Sequence, residues 1–246
     1  MREYFTFNGV DSRDYGIYIS GTGRLTIPEK AYAFQEIPGR SGDLIVNASA
    51  SVRNDTIVYP AFIARQNFSG VYTSYAELVG ALRSWLLSVK GYAELRDSYD
   101  PDHYRLAAFA GPTQFETAPV LDAGSFDLEF VCKPQRYLTA EDSATTIRAG
   151  ASTKFETCGY KYSDPLFTVS GVGSFQVDSQ TVTIVQSLLT YPITIDCRLM
   201  ECFDANGENA NRYVSFSGHN FPKIYNGTIV TAGTAALTVK PRWYEL

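Results

Sequence analysis

The stretch Ser74-Tyr-Ala-Glu-Leu-Val-Gly-Ala-Leu-Arg-Ser-Trp-Leu-Leu-Ser-Val-Lys-Gly91 is the one long segment of helical period in a chain otherwise written in short alternating runs. Ser74 and Glu77 have the spacing of a capping box, in which each side chain satisfies an orphan backbone N–H at a helix start. Leu78, Val79, Leu82, Trp85, Leu86 and Val89 recur on one face of an α-helix. Lys90 is expected in the last turn, where a cation suits the helix dipole, and Gly91 is expected to end the helix in the left-handed conformation. One apolar-faced helix among strands needs a sheet to lie on. Leu78, Leu82, Trp85 and Leu86 are therefore the expected core of the helix–sheet seam.

Upstream, Phe5 and Phe7 share a face and Asn8-Gly9 signals a turn. Residues 15–19 and 31–37 read as strands. Residues 44–52 and 56–64 read as a strand pair joined at Asn54-Asp55. Downstream, residues 92–95 and 104–109 read as a hairpin around residues 97–102. Residues 125–132 alternate cleanly, and Lys133-Pro134 is expected to stop that strand. The texture then changes to small, polar, Thr-rich sequence. This places a domain boundary between Arg136 and Tyr137, giving domains 1–136 and 137–246. The second half has no amphipathic helix, only short alternating runs separated by turn residues, which argues a β-sandwich. The expected fold is mainly β, a sandwich-like N-terminal domain with one helix and a C-terminal β-sandwich.

Composition excludes several functions. The formal net charge of −5 gives no overall electrostatic pull on nucleic acid or anionic lipid. No run of 18 apolar residues exists, so no helical membrane span is expected. Met1-Arg2-Glu3-Tyr4 leads straight into a strand pattern without the apolar core of a signal peptide, so folding in a cytoplasm is expected. Cys132, Cys158, Cys197 and Cys202 contain no CxxC pair and read as buried thiols. Cys197, Cys202 and His219 fit no zinc spacing. Asp97, Asp100 and Asp102 lack the spacing and terminal Glu of an EF-hand. No GxSxG, HExxH or P-loop occurs, so no catalytic, cofactor-binding or metal-binding residue is assigned.

Two stretches point to contacts instead. In Ile37-Pro-Gly-Arg-Ser-Gly-Asp-Leu44, a proline fixes one backbone angle and two glycines permit others. Such a loop can hold Arg40 at a fixed reach, ready for bidentate pairing with a neighbour's carboxylate. Pro38, Gly39, Arg40 and Asp43 are the expected interface. At the other end, Trp243, preceded by Arg242, sits almost at the terminus, and termini fray unless docked. Those two residues are the expected C-terminal docking point, with closure of their own sandwich as the alternative.

Several segments together resemble siphophage distal tail proteins, the Dit family. They are Phe5-Thr-Phe-Asn-Gly-Val10 with Ser12 and Tyr15-Gly-Ile17, then Ile37-Pro-Gly-Arg-Ser-Gly-Asp43, then the single helix, then Glu129-Phe-Val-Cys-Lys-Pro134 with Arg136-Tyr137. In the second half Ile195-Asp196, Phe221-Pro-Lys-Ile-Tyr-Asn-Gly227 and Val239-Lys-Pro-Arg-Trp243 are similar to the family's C-terminal domain. The resemblance implies a homohexameric ring at the tail tip of the virion, assembled in the host cytoplasm. It implies an N-terminal belt domain and a galectin-like C-terminal sandwich. The implied partners are the tail tube protein, a tail-associated protein and, as further candidates, receptor-binding proteins. DNA would pass through without stable binding. Where the family loop often carries an acid, this chain has Ser41, with Asp43 close by.

Three classes are therefore distinguishable. A structural hub predicts a closed oligomer and no turnover. A carbohydrate-binding module predicts a monomer with glycan affinity, using Trp243 or tyrosine-rich loops as stacking platforms. A hydrolase predicts two acids converging in a cleft. The sequence favours the hub, with the carbohydrate module as the alternative.

Overall fold

The computed structural model describes residues 3–20, 27–47, 51–64, 74–111, 116–118, 123–139, 143–158, 161–185, 191–218 and 220–246. The chain divides into two compact units, residues 1–136 with Leu246 and residues 137–245.

In the first unit the strands are β1 (Phe5–Phe7), β2 (Val10–Asp11), β3 (Ile17–Ile19), β4 (Phe34–Gln35), β5 (Leu44–Ile45), β6 (Asp55–Ala64), β7 (Ala93–Asp97), β8 (His103–Phe109), β9 (Glu116–Ala118) and β10 (Ala123–Leu138), whose last two residues belong to the second unit. The main sheet runs β10–β8–β7–β1–β2, and β6 pairs with both β10 and β3. The β6–β10 ladder is ten residues long, from Asp55 opposite Cys132 to Ala64 opposite Ala123. Asn8 and Gly9 both take positive φ, 52° and 76°, the backbone that a two-residue hairpin turn needs to match strand twist. Residues 15–19 do not form one strand. Asp11 caps the N–H of Arg13, a 3-10 turn spans Ser12–Tyr15, and β3 starts only at Ile17.

Helix α1 (Tyr75–Ser88) lies on this sheet. The Ser74 side chain accepts the N–H of Glu77 at 3.2 Å. Leu78, Leu82, Trp85 and Leu86 are buried together with Phe5, Phe7, Phe126, Leu128 and Phe130. Trp85 stacks on Tyr15 at 4.8 Å and on Phe5 at 5.9 Å, and its indole N–H donates to the Phe7 carbonyl at 3.3 Å. The helix ends differently from the expectation. Val89 is already extended, so Lys90 falls outside the last turn, and Gly91 takes its φ of 76° beyond the helix rather than at its cap.

Two other expectations are corrected. Pro134 does not stop its strand, because the β6 ladder ends at Cys132 and the missing N–H falls where no β6 partner remains. Residues 44–52 and 56–64 are not partners: β5 pairs with β4, whereas β6 pairs with β3 and β10.

The second unit contains β11 (Thr145–Ile147), β12 (Ser152–Lys154), β13 (Tyr162–Ser163), β14 (Leu166–Val169), β15 (Gly173–Val177), β16 (Gln180–Ile184), β17 (Ile193–Asp196), β18 (Glu201–Phe203), β19 (Val214–Phe216), β20 (Ile229–Thr231), β21 (Leu237–Lys240) and β22 (Trp243–Glu245). Among the described residues they form two five-stranded sheets, β11–β21–β14–β17–β18 and β12–β20–β15–β16–β19, with β13 pairing β22. Every second side chain enters a shared core. Phe167 of one sheet and Phe175 of the other have ring centroids 5.0 Å apart. Ile184, Ile193, Ile195, Val230, Leu237 and Val239 complete the layer. This is the packing that defines a sandwich. The fold is mainly β with a single helix among the described residues.

Candidate functional site

The expected interface loop sits at the tip of the β4–β5 hairpin. Phe34 lies opposite Ile45 and Gln35 opposite Leu44, and among the described residues these two strands pair only with each other. Pro38, Gly39, Arg40 and Asp43 are all exposed. Gly39 and Gly42 have φ of 79° and 83°, where a side chain would be strained, so the glycines fix the path of the loop. The Arg40 N–H donates to the Ile37 carbonyl at 3.1 Å and closes the turn. Asn47 braces the base of the arm, accepting the Ala33 N–H at 2.5 Å and donating to the Ala31 carbonyl at 2.9 Å. Beyond that base the arm is bare. Phe34 is 62% exposed and Val46 57%, and Leu44 and Ile45 are exposed as well.

A second polar cluster surrounds the β7–β8 turn of the same unit. A shallow cleft there is lined by Tyr59, Leu95, Asp97, Asp100, His103, Tyr104 and Arg105. Asp97 accepts the Tyr59 hydroxyl at 2.5 Å and the N–H groups of Tyr99 and Asp100. Asp100 meets His103 Nδ1 at 2.8 Å and Arg136 Nη2 at 2.5 Å. Burial pushes the Asp100 carboxyl up, but the hydrogen bonds from Arg136 and His103 outweigh it and hold it below the usual carboxylate value. Arg105 faces Asp55 at 3.4 Å. These groups are engaged with one another, and no Ser, Thr or Cys lines the cleft to act as a nucleophile beside His103. Asp102 is exposed at the turn.

The chain end is organised around Arg242, which is 4% exposed and has a φ of 53°. Its guanidinium donates to both Asp196 carboxylate oxygens, at 3.1 and 2.7 Å, and to the carbonyls of Asp164 and Pro165, at 2.7 and 3.1 Å. Asp196 also accepts the N–H groups of Arg198 and Leu199. Trp243, 3% exposed, belongs to the core of the second unit. Arg242 and Trp243 thus pack within their own sandwich, Arg242 through its hydrogen bonds and Trp243 through the core. Asp196 is the residue that spacing alone could not single out: it lies 46 positions from its partner.

Of the four cysteines expected to be buried, Cys132, Cys197 and Cys202 are, whereas Cys158 is exposed. Burial pushes the Cys132 and Cys202 thiols up to about 12, and Cys197 rises for the same reason. His219 lies outside the described residues, and among the described residues no group of three His, Cys, Asp or Glu side chains could hold a metal ion.

In sequence, no family model and no curated protein matches the chain. In structure it is similar to the SPP1 Dit protein, described as a paradigm of the hub adsorption apparatus in phages infecting Gram-positive bacteria. The TM-score is 0.69 at 15% identity, over 100% of this chain and 99% of that one. It is also similar to chains from two structures of the phage P2 baseplate in its activated conformation. With calcium the TM-score is 0.62 at 10% identity, over 98% of each chain. With strontium it is 0.64 at 9% identity, over 97% of this chain and 96% of that one. From end to end, then, the chain has the fold of the SPP1 Dit hub protein.

Proposed function

We propose that the chain is a distal tail protein, a structural hub at the tip of a long, non-contractile phage tail. The observation that carries this reading is a fold shared with the SPP1 Dit protein along the full length of both chains. The order of short motifs, from Phe5-Thr-Phe-Asn-Gly-Val10 to Arg242-Trp243, supports it independently. In this reading six copies close into a ring. The first unit forms the belt, and the second is a galectin-like sandwich facing outward. One side of the ring meets the tail tube protein, and the other meets a tail-associated protein, with receptor-binding proteins held at the periphery. The role is architectural, and DNA passes through the centre.

The carbohydrate-module alternative loses its main platform, since Trp243 is buried in its own core and cannot stack on a sugar. Gold-labelled antibody against the chain tests the hub reading on intact particles. Label confined to the distal end of the tail is the expected result. Particles that carry the chain on the head, or not at all, contradict it.

A further inference from the structure

The chain contains three Asn-Gly pairs, at 8–9, 206–207 and 226–227. Such a pair carries a chemistry of its own. The glycine nitrogen can attack the asparagine side-chain carbonyl carbon, because glycine has no side chain to block the approach. A new C–N bond closes a succinimide ring, and the side-chain nitrogen leaves as ammonia. Water then opens the ring at either carbonyl and gives an aspartyl or an isoaspartyl link. Water enters, ammonia leaves, and nothing is oxidised or reduced.

Exposure does not separate the three sites, since Asn8, Asn206 and Asn226 are all exposed and water reaches each. Hydrogen bonding does. The Gly207 N–H donates to the Asp204 carbonyl at 3.0 Å, and the Asn206 N–H to the Asp204 carboxylate at 2.9 Å. The Gly227 N–H donates to the Phe155 carbonyl at 2.8 Å, and Asn226 Oδ1 accepts the Thr157 N–H at 3.0 Å. At both sites the attacking nitrogen is engaged. At the β1–β2 turn it is not: among the described residues neither the Gly9 N–H nor the Asn8 side chain makes a hydrogen bond. The Asn8 N–H donates to the Glu94 carbonyl at 2.9 Å, which anchors the residue without touching either reacting group. The space beside Gly9 is open, and a Cβ placed there would meet nothing within 4 Å. Strand β2 is only two residues long, so swinging the Asn8–Gly9 peptide out of its left-handed turn for attack disturbs little pairing.

We propose that Asn8 is the modification site at which the folded chain deamidates first, with water as the reactant, and that the change reaches the helix–sheet seam. The turn sets Phe7 opposite Val10. An isoaspartyl link adds a carbon to the main chain inside that turn, and so disturbs a register that a two-residue loop fixes. The Phe7 carbonyl also receives the Trp85 indole N–H at 3.3 Å, so a shift at Phe7 is felt by the packing of α1. The inference concerns the chain itself, whatever it assembles with.

Peptide mass spectrometry, with isoaspartyl methyltransferase as the label, tests this on the full chain held in warm, mildly alkaline buffer. The peptide carrying Asn8 should exchange –NH2 for –OH first and split into aspartyl and isoaspartyl forms. Asn206 and Asn226 should lag by roughly fivefold or more, the factor set by one backbone hydrogen bond at the attacking nitrogen. In the urea-unfolded chain the three sites should convert at similar rates. The variant Asn8→Gly keeps a residue at ease in the left-handed turn and has no side-chain amide to lose. It should melt like fresh wild type, before and after incubation, whereas incubated wild type should melt lower. Asn206 or Asn226 converting as fast as Asn8 in the folded chain would overturn the inference. So would an Asn8 peptide that stays intact while the unfolded chain converts, or an Asn8→Gly variant that loses as much melting temperature as wild type.

Discussion

Arg242 and Asp196 face each other as a bidentate pair inside the second unit, with Nη1–Oδ2 at 3.1 Å and Nη2–Oδ1 at 2.7 Å. The pair fixes strand β22 to the end of β17, and Asp196 uses the same carboxylate to hold the turn that follows. A buried ion pair is not automatically stabilising, because both charges leave water. Removing only one partner is the costly change, since it strands the other. Arg242→Ala should therefore lose about 3–5 kcal/mol. Replacing both residues with apolar ones should recover much of that loss. Urea unfolding of the three variants at neutral pH checks the order.

Two neighbouring carboxyls should respond to pH with opposite sign. Burial pushes the Asp196 carboxyl up, but hydrogen bonds and charge from Arg242 outweigh it, and its folded pKa lies below the ordinary carboxylate value. Its stability contribution is present above that value and is lost as pH falls through the folded pKa. Asp164 is shifted the other way, chiefly by burial, against the pull of Lys223 and Arg242. A raised folded pKa means a contribution that is present in acid and lost as pH rises through the folded value. Asp164→Asn should accordingly stabilise the chain at pH 7, and the gain should vanish below the ordinary carboxylate range. Urea midpoints of variant and wild type across pH decide this. A gain that grows on acidification contradicts the assignment.

In the first unit the sensitive point is Trp85, stacked on Tyr15 and Phe5. Trp85→Ala should cost about 3–5 kcal/mol, the usual range for emptying a buried aromatic site. Ser88 is exposed and donates only to the Trp85 carbonyl, so Ser88→Ala should change stability by no more than about 0.5 kcal/mol. Thermal melts of the two variants make the comparison. Equal melting temperatures contradict the helix–sheet seam.

The helix was the most legible element because its signals are local. Ser74, Glu77 and the 78–82–85–86 spacing all lie within one short window. The sandwich was legible from its central strands, where alternation is enforced by burial on one face. Edge strands were not. Thr145–Ile147 and Ser152–Lys154 are short and rich in hydroxyl side chains, and each pairs with a single neighbour, so little alternation is imposed on them. The pairing of residues 44–45 was missed because a two-residue strand is too short for any period to register, and its true partner, Phe34–Gln35, lies upstream across the loop. The strand through Pro134 shows the same dependence on context. A proline stops a strand only where its N–H is needed. In the candidate interface the glycines and Arg40 could be read directly, whereas the Arg242–Asp196 pair is a long-range fact that local spacing does not encode.

The hub reading also makes a claim about nucleic acid. A conduit must let DNA pass without holding it, and every Lys or Arg contact to phosphate would add to affinity. The chain carries a formal net charge of −5, so six copies sum to about −30. We expect no Lys or Arg circle facing the lumen, and no shift of duplex DNA by the isolated protein at low salt, where screening is weakest. A tight shift in a gel assay under those conditions contradicts the conduit.

The mass of the full chain in solution bears most directly on the ring. Multi-angle light scattering over a range of concentrations should give about 163 kDa, six copies of the 27.2 kDa chain, or a whole multiple of that value if rings stack. A concentration-independent mass of 27.2 kDa would contradict it.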